Sequence, residues 1–124
     1  MSTVFVNLSN HPSAIWSEEQ LAVARGLADQ VVDIPIPEIP PDAGTDELVE
    51  RCRTLVLMLP VGATHAMVST EFVTTFILIT MLQKRGITCL AATTRRSVSM
   101  DPEGNKVSRF SFVRFREYPG FREL

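Results

Sequence analysis

The amino-terminal segment constrains the fold most strongly, because it joins a strand to a helix through a polar loop. Residues 4–8 form a mainly β-branched and aromatic run typical of a strand, and residues 9–13 are Ser, Asn, His, Pro and Ser. Ser17, with Gln20 three residues later, is the signature of a capping box at a helix start. In open α/β folds such a junction gathers unpaired backbone N–H groups and a positive helix dipole end, so it is a candidate site for an anionic ligand.

The size and charge of the chain limit the class of protein it can belong to. Its 124 residues, with 45% hydrophobic content, suit one domain over 1–124 with a real core. A net charge of −2 argues against a protein that holds long DNA or RNA through a broad basic face. A small anionic ligand in a local basic pocket is still compatible with this charge.

The cysteines and the apolar segments indicate a reduced, cytoplasmic protein. Cys52 and Cys89 lie in apolar surroundings without CxxC spacing, so we expect two inert buried thiols, no metal and no cofactor. The amino terminus lacks the basic region of a secretory signal. The most apolar run, residues 72–82, is shorter than the roughly 20 residues that span a bilayer. We therefore expect no membrane partner.

Hydrophobic periodicity predicts alternating helices and strands. Thr45 is expected to cap the second helix, Ser69 and Thr70 to cap the third, and Gly86 to end the third. Residues 93–97 are expected to be a polar outlet after the fourth strand. The predicted elements after the first strand are a helix over 17–28, a strand over 30–34, a rigid loop over 35–44, a helix over 45–59, a strand over 64–68, a helix to Arg85 and a strand over 87–92.

A dense turn signal at residues 101–105 predicts a hairpin between residues 98–100 and a last strand over 107–117. The apolar parity of that strand changes between Phe112 and Val113, which indicates either a bulge or burial on both faces. The whole order predicts a compact Rossmann-like α/β fold, with a mainly parallel sheet flanked by helices and an antiparallel carboxyl-terminal strand.

Three polar segments follow predicted strands: residues 9–13, 69–71 and 93–96. Because the carboxyl ends of parallel strands meet at one edge of a sheet, we expect these segments to face one site. Their hydroxyl, amide, imidazole and guanidinium groups suit a phosphodiester ligand with polar bases better than an apolar metabolite. The candidate ligand-binding residues are Ser9, Asn10, Ser13, Ser69, Thr70, Thr93, Thr94 and Arg96.

The candidate catalytic residues are His11, Arg95 and Glu71. An imidazole exchanges protons near neutral pH, so His11 is the most chemically capable of them, although a loop histidine can also simply cap a backbone group. Arg95 and Arg96 either clamp a phosphate or form a solvated turn. Glu71 either has a ligand or catalytic role or complements the dipole of the long helix.

Other conspicuous residues have ordinary structural interpretations. We expect His65 to be a half-exposed or partner-satisfied strand histidine, and Trp16 to pack the first helix onto the sheet rather than to stack on a base. Arg109, Arg114 and Arg116 alternate along the last strand and are expected to be surface charges.

The chain contains no GxGxxG, P-loop or HExxH motif, so a dinucleotide oxidoreductase, an NTPase or a zinc hydrolase has little support. Its carboxylates show no paired acid–base spacing. If the protein cleaves phosphodiesters, a metal-independent route is the natural one. In that route a ribose 2′-OH attacks its own adjacent phosphate while the protein holds the geometry and stabilises charge.

Several segments together resemble small stand-alone CRISPR-associated proteins of the CARF-like group of type III systems. Where that group has a Gly-Glu pair opening the long helix, this chain has Ser69-Thr70-Glu71. The resemblance covers nearly the whole chain and lies in residues 7–13 with Trp16 and Ser17, residues 32–35, 69–72 and 93–96, and residues 112–118.

The resemblance implies a homodimer that binds cyclic oligoadenylate second messengers across its two-fold axis, because an isologous dimer matches the symmetry of a cyclic tetranucleotide. Some such proteins are ring nucleases that leave 2′,3′-cyclic phosphate ends without metal. We therefore expect a ring nuclease for cyclic tetraadenylate, in which His11 assists proton transfer or phosphate stabilisation, Arg95 and Arg96 bind phosphate and Glu71 orients a ribose hydroxyl. One alternative is a non-catalytic sponge or sensor of the same ligand. Another is a structural or interaction protein without a nucleotide ligand.

Overall fold

A twisted sheet forms the middle layer of the molecule. The computed structural model describes residues 2–124 and contains strands β1 (Val4–Ser9), β2 (Gln30–Asp33), β3 (Ala63–Ser69), β4 (Thr88–Met100) and β5 (Lys106–Glu117). Their order in the sheet is β2-β1-β3-β4-β5, with parallel pairing except between β4 and β5. The predicted Rossmann-like α/β fold with an antiparallel carboxyl-terminal strand is confirmed.

Within the described residues three α-helices flank the sheet: α1 (Glu18–Leu27), α2 (Thr45–Leu57) and α3 (Phe72–Lys84). Short 3₁₀ turns cover Ser13–Ile15 and Phe121–Glu123. Among residues 2–124, none of the helices has the length and apolar character needed to cross a bilayer.

Two of the predicted helix caps are wrong. Gly44, not Thr45, has the extended backbone of the cap of α2, with φ −82° and ψ 167°, and Thr45 is the first helical residue. Glu71, not Ser69 or Thr70, caps α3, because β3 continues through Ser69 in its pairing with Ser9. The cap of α1 is Ser17, as predicted, and its hydroxyl accepts a hydrogen bond from the Gln20 N–H at 3.1 Å.

Alternation along β1 divides its side chains between two cores, one on each face of the sheet. Val4, Val6 and Leu8 belong to the core under α2 and α3, which also contains Leu55, Leu78 and Cys89. Phe5 belongs to the core under α1, together with Trp16, Met67, Leu90, Phe112 and Phe115. β1, in the middle of the parallel part of the sheet, is therefore buried on both faces, as the helices on the two sides require.

A β-bulge accounts for the change of apolar parity in the last strand. The ladder pairs Thr93 with Arg114 and Thr94 with Phe112, which leaves Val113 opposite no residue of β4. The extra residue turns Phe112 and Phe115 into the same core, with ring centroids 5.0 Å apart. Of the two sequence alternatives, the bulge is confirmed.

The expected polar outlet over residues 93–97 is wrong, because these residues lie inside β4. Pairing between β3 and β4 ends at Leu90, close to the point where the local sequence pattern predicts the end of the strand. β5 continues the ladder from Leu90 as far as Met100, which pairs with Lys106. We call the outer part of this hairpin, residues 94–111, the ribbon arm.

Phe5 gives a direct test of this packing. It is fully buried and contacts Trp16 and Phe115, with ring centroids 6.1 and 5.1 Å away. We expect Phe5→Ala to lower the free energy of unfolding by about 3–5 kcal/mol in urea denaturation, because a large cavity opens in the core under α1. Phe121→Ala, at an almost fully exposed ring, should change it by no more than about 0.5 kcal/mol. Equal losses in the two variants would contradict the packing.

Candidate ligand site at the carboxyl edge of the sheet

A buried amide organises the loop that follows β1. Asn7 has no exposed surface, and its Nδ2 donates to the His11 carbonyl at 2.8 Å and to Asp33 Oδ1 at 3.0 Å. Its Oδ1 accepts from the Ser9 hydroxyl at 2.6 Å. Both amide protons and the amide oxygen are thus satisfied, as burial requires. Sequence reasoning missed Asn7, and the available signal was an amide in the middle of an apolar strand.

The predicted ligand residues of this loop use their polar atoms to hold the loop itself. Asp33 Oδ2 accepts from both the backbone N–H and the hydroxyl of Ser13, each at 3.1 Å. Asn10 Oδ1 accepts from the Ile36 N–H at 3.1 Å. These bonds tie the loop to the end of β2 and to the segment after it. The roles shown for Ser9, Asn10 and Ser13 are therefore structural.

Trp16 fixes the loop from the other side. Its Nε1–H donates to the His11 carbonyl at 3.0 Å, and its ring meets Phe5 edge-on at an angle of 85°. The predicted packing role of Trp16 on the sheet is confirmed. The His11 carbonyl thus accepts from both Asn7 and Trp16, which holds the backbone of His11 in place while the residue stays exposed.

A cleft of about 550 Å³ opens at the carboxyl edge of the sheet, bordered by the loop after β1, the ends of β3 and α3, and the base of the ribbon arm. Its lining combines hydrogen-bonding groups with aromatic rings. The hydrogen-bonding residues are His11, Ser17, Gln20, Ser69, Thr70, Thr75 and Thr94, and the aromatic ones are Trp16, Phe72, Phe110, Phe112 and Tyr118. This combination suits a ligand with flat rings and hydrogen-bonding edges.

The structure brings four of the predicted site residues into this cleft: His11, Ser69, Thr70 and Thr94. Arg95 and Thr93 do not line it, because alternation on β4 places them on the opposite face from Thr94. The Thr93 hydroxyl instead donates to the Arg114 carbonyl at 3.1 Å. Arg96 shares the face of Thr94 but lies beyond the cleft, where its guanidinium donates to the Ser108 hydroxyl at 3.0 Å.

Glu71 lies outside the cleft and binds the amino terminus of α3. Its carboxylate accepts from the Val73 and Thr74 N–H groups, each at 2.8 Å, and from the Thr74 hydroxyl at 2.9 Å. The backbone hydrogen bonds from Thr74 and Val73 lower the pKa of Glu71, so it is ionised at neutral pH. Its interpretation as a group that complements the dipole of α3 is confirmed.

His65 is a strand histidine, as predicted. It is half-buried in β3, with Nδ1 2.8 Å from the Thr64 hydroxyl and its ring stacked on Phe5 at 6.4 Å. Burial lowers the pKa of His65, and the nearby charge of Glu117 opposes that shift in part. His65 and Glu117 line a second groove of about 500 Å³ beside α1, away from His11.

Both cysteines are free and buried, as predicted. Burial is the main cause that raises the pKa of each thiol, and that of Cys89 reaches about 11. At neutral pH the two side chains are protonated thiols, which are poor nucleophiles.

The protein is thus a Rossmann-like α/β protein with a polar and aromatic cleft at the carboxyl edge of its sheet. The sequence profile of one family matches residues 3–116, and the chain belongs to this family, described as the uncharacterized protein MJ1673 family. Comparison with curated proteins and with solved structures finds no match.

Asn7→Ala tests the organisation of the loop, with Trp16, the only tryptophan of the chain, as the reporter. We expect the free energy of unfolding to fall by about 1–3 kcal/mol, because buried partners lose their hydrogen bonds. Trp16 emission should shift to the red while far-ultraviolet circular dichroism is retained. Ser13→Ala removes one hydroxyl at the edge of the network and should cost less than about 1 kcal/mol. An unchanged Trp16 emission in Asn7→Ala would contradict the role of Asn7.

Glu71→Gln tests the cap of α3 through its pH dependence. Because the folded pKa of Glu71 lies below its ordinary value of 4.5, its stabilisation is complete above pH 4.5 and is lost as pH falls through the folded pKa. We expect a lower Tm than wild type at pH 7, with the difference shrinking on acidification below 4.5. Glu103→Gln, in the turn between β4 and β5, is the control. A Tm difference that persists at the lowest pH would contradict this account.

Proposed function

We propose that the protein binds a cyclic oligoadenylate, with cyclic tetraadenylate as the expected ligand, and cleaves it as a metal-independent ring nuclease of type III CRISPR immunity. The observation that supports this most is the cleft itself, in which His11 and five serine and threonine residues meet a wall of aromatic rings. The identity of the ligand comes from the resemblance to CARF-like proteins. The proposed active unit is a cytoplasmic homodimer, whose two-fold symmetry matches that of a cyclic tetranucleotide.

Base stacking and hydroxyl donors would supply the binding. An aromatic ring stacked on a base contributes about 1–3 kcal/mol, and adenine presents a flat face for such contacts. The amino terminus of α3 cannot supply free N–H groups at Val73 and Thr74, because Glu71 already binds them. Within one chain, binding of the ligand phosphates therefore depends on the His11 imidazole and on the hydroxyls of Ser69 and Thr94.

The proposed reaction needs no group beyond the ligand, this chain and water. The ribose 2′-oxygen forms a bond to the adjacent phosphorus, and the bond from phosphorus to the 5′-oxygen breaks. The products have a 2′,3′-cyclic phosphate end and a 5′-hydroxyl end. His11 takes the proton of the 2′-OH as a base while water gives a proton to the leaving 5′-oxygen, or it donates a proton to that oxygen as an acid while water takes the proton of the 2′-OH. Hydroxyl donors stabilise the charge on the remaining phosphate oxygens.

One observation favours a second function, which is to hold the same ligand without cleaving it. Among the described residues that line the cleft, His11 is the one imidazole, and the lining includes no carboxylate, lysine or arginine. Glu71 and Arg95, the other predicted catalytic residues, lie outside this lining. One imidazole serves as an acid or as a base, but full acid–base catalysis uses both, so a sponge or sensor is the second candidate.

Turnover in EDTA distinguishes these functions. We expect full-length protein to convert cyclic tetraadenylate to linear products with 2′,3′-cyclic phosphate ends, detected by mass spectrometry, across a series of ring sizes. His11→Ala should lower the rate by about 10²–10⁴-fold, the usual contribution of a positioned acid or base. Binding, measured by isothermal titration calorimetry, should weaken much less. His65→Gln changes the other histidine, outside the cleft, and should keep the activity.

The other outcomes assign the function differently. Tight binding without products would contradict cleavage and establish the sponge or sensor. No binding of any ring size would contradict both and leave an interaction protein. Equal loss of activity in His11→Ala and His65→Gln would contradict the assignment of the cleft.

A further inference from the structure

We propose that the ribbon arm is an intersubunit arm, whose apolar face docks on the rim of the cleft of a second copy of this chain and brings Arg96 to that cleft. The docking is argued from the apolar surfaces and charges of the arm and the rim, without any ligand. The part of the proposal that gives Arg96 a role in ligand binding rests on the proposed function.

The ribbon arm has little support from its own chain. β3 pairs with β4 only as far as Leu90, so the outer part of β4 has β5 as its single neighbour in the sheet. All residues from Thr94 to Met100 are exposed. A two-stranded ribbon in water is marginally stable at best, so an ordered arm of this length calls for a covering surface.

The two faces of the ribbon arm differ in polarity. The ladder places Val98, Met100 and Phe110 on one face with Arg96, and each of the three apolar side chains is more than half exposed. The opposite face is mainly polar and carries Arg95, Ser97, Ser99, Arg109 and Ser111. Exposing an apolar face to solvent is unfavourable, and such exposed patches mark interaction surfaces, so that face is the one expected to be covered.

The rim of the cleft offers a matching apolar surface. Phe72 is 92% exposed and Ile15 72% exposed, and both line the cleft. Phe110, on the apolar face of the arm, borders the same cleft. Arm and rim are therefore adjacent on one chain. A two-fold axis near the cleft would place the arm of each copy on the rim of the other, as an isologous interface requires.

The charge distribution favours a second copy as the occupant. Residues 84–124 hold nine of the 12 basic residues, whereas residues 1–83 hold ten of the 14 acidic ones. On the arm, Arg96 and Lys106 share the apolar face, and Glu18 and Glu19 begin α1 three residues after Ile15. A basic arm on an acidic rim is electrostatically complementary. A nucleic acid would meet the acidic body and gain little from Val98 and Met100.

Docking would also place Arg96 where the proposed ligand needs a cation. Arg96 does not line the cleft of its own chain. On a docked arm, the partner's Arg96 would lie beside a phosphate of the ligand, where a guanidinium binds phosphate oxygens in a bidentate manner. Each cleft would then be completed by the other copy.

Sedimentation velocity of the full chain, without ligand, tests the docking. We expect a dimer at micromolar concentration, and the double variant Val98→Ser with Met100→Ser should raise the dimer Kd at least about tenfold, because two apolar side chains lose their cover. Val61→Ser, at a valine before β3 that is 88% exposed against 56% for Val98, is the control and should leave the Kd unchanged. A monomer at all concentrations, or a dimer insensitive to the arm variant, would overturn the proposal.

A charge reversal identifies the partner surface. Arg96→Glu with Lys106→Glu, and separately Glu18→Lys with Glu19→Lys, should each weaken the dimer, and an equimolar mixture of the two variants should restore it. Failure of the mixture to associate would overturn the assignment of the rim. A monomer that instead binds a single-stranded oligoadenylate RNA through Arg96 and Lys106 would assign the arm to nucleic acid and overturn the proposal.

Arg96→Ala separates the two parts of the proposal. We expect it to weaken binding of cyclic tetraadenylate by about tenfold or more while the dimer persists, because the apolar contacts of the arm remain. An arm-dependent dimer that binds no cyclic oligoadenylate would keep the docking and reject the proposed function. Binding unchanged in Arg96→Ala would reject the composite cleft.

Discussion

The hydrogen bonds of the Asn7 amide are the constraint on which the functional edge of this molecule depends. In the sheet, Asn7 is opposite Asp33 on one side and Met67 on the other, so the three side chains share one face at the carboxyl ends of neighbouring parallel strands. A buried amide in that position must find partners, and it finds them in Asp33, Ser9 and the His11 carbonyl. The same requirement that satisfies Asn7 therefore sets the path of the chain at His11.

The opposite wall of the cleft depends on the bulge at Val113. Without an extra residue, Phe112 and Phe115 would point to opposite faces of the sheet, since side chains alternate along a strand. With it, both rings reach the core under α1, and Phe112 also lines the cleft. One irregular residue in β5 thus joins the packing of the aromatic core to the shape of the ligand site.

Local patterns predicted α1, β2 and the hairpin turn, because a capping serine, β-branched residues and turn residues act within a few positions. They failed where the end of a strand is set by pairing with residues far away in the sequence. β5 extends β4 past Leu90, which no pattern around Thr93 to Arg96 can indicate. Likewise, the pairing of Ser69 with Ser9 keeps Ser69 in β3 and leaves the cap of α3 to Glu71.

The candidate site was predictable only in part, because its position follows from the topology but the role of each side chain depends on long-range contacts. The carboxyl ends of parallel strands converge by topology, and this brings His11, Ser69 and Thr70 together. Thr94 joins them from β4, beyond the end of its parallel pairing with β3. Whether a polar side chain faces a ligand or holds a loop depends on partners far along the chain. Ser13 meets Asp33, and Asn10 meets Ile36, so both belong to the scaffold of the site.

Chemical-shift mapping with cyclic tetraadenylate tests the central claim, that the cleft beside the Asn7 loop is the ligand site. In ¹⁵N-labelled protein, the account predicts that ligand shifts the indole N–H of Trp16 and the backbone amides of Ser69, Thr70 and Thr94 together, at one saturable site. Shifts confined to the groove around His65 and Thr88, or no shifts at saturating ligand, would contradict it.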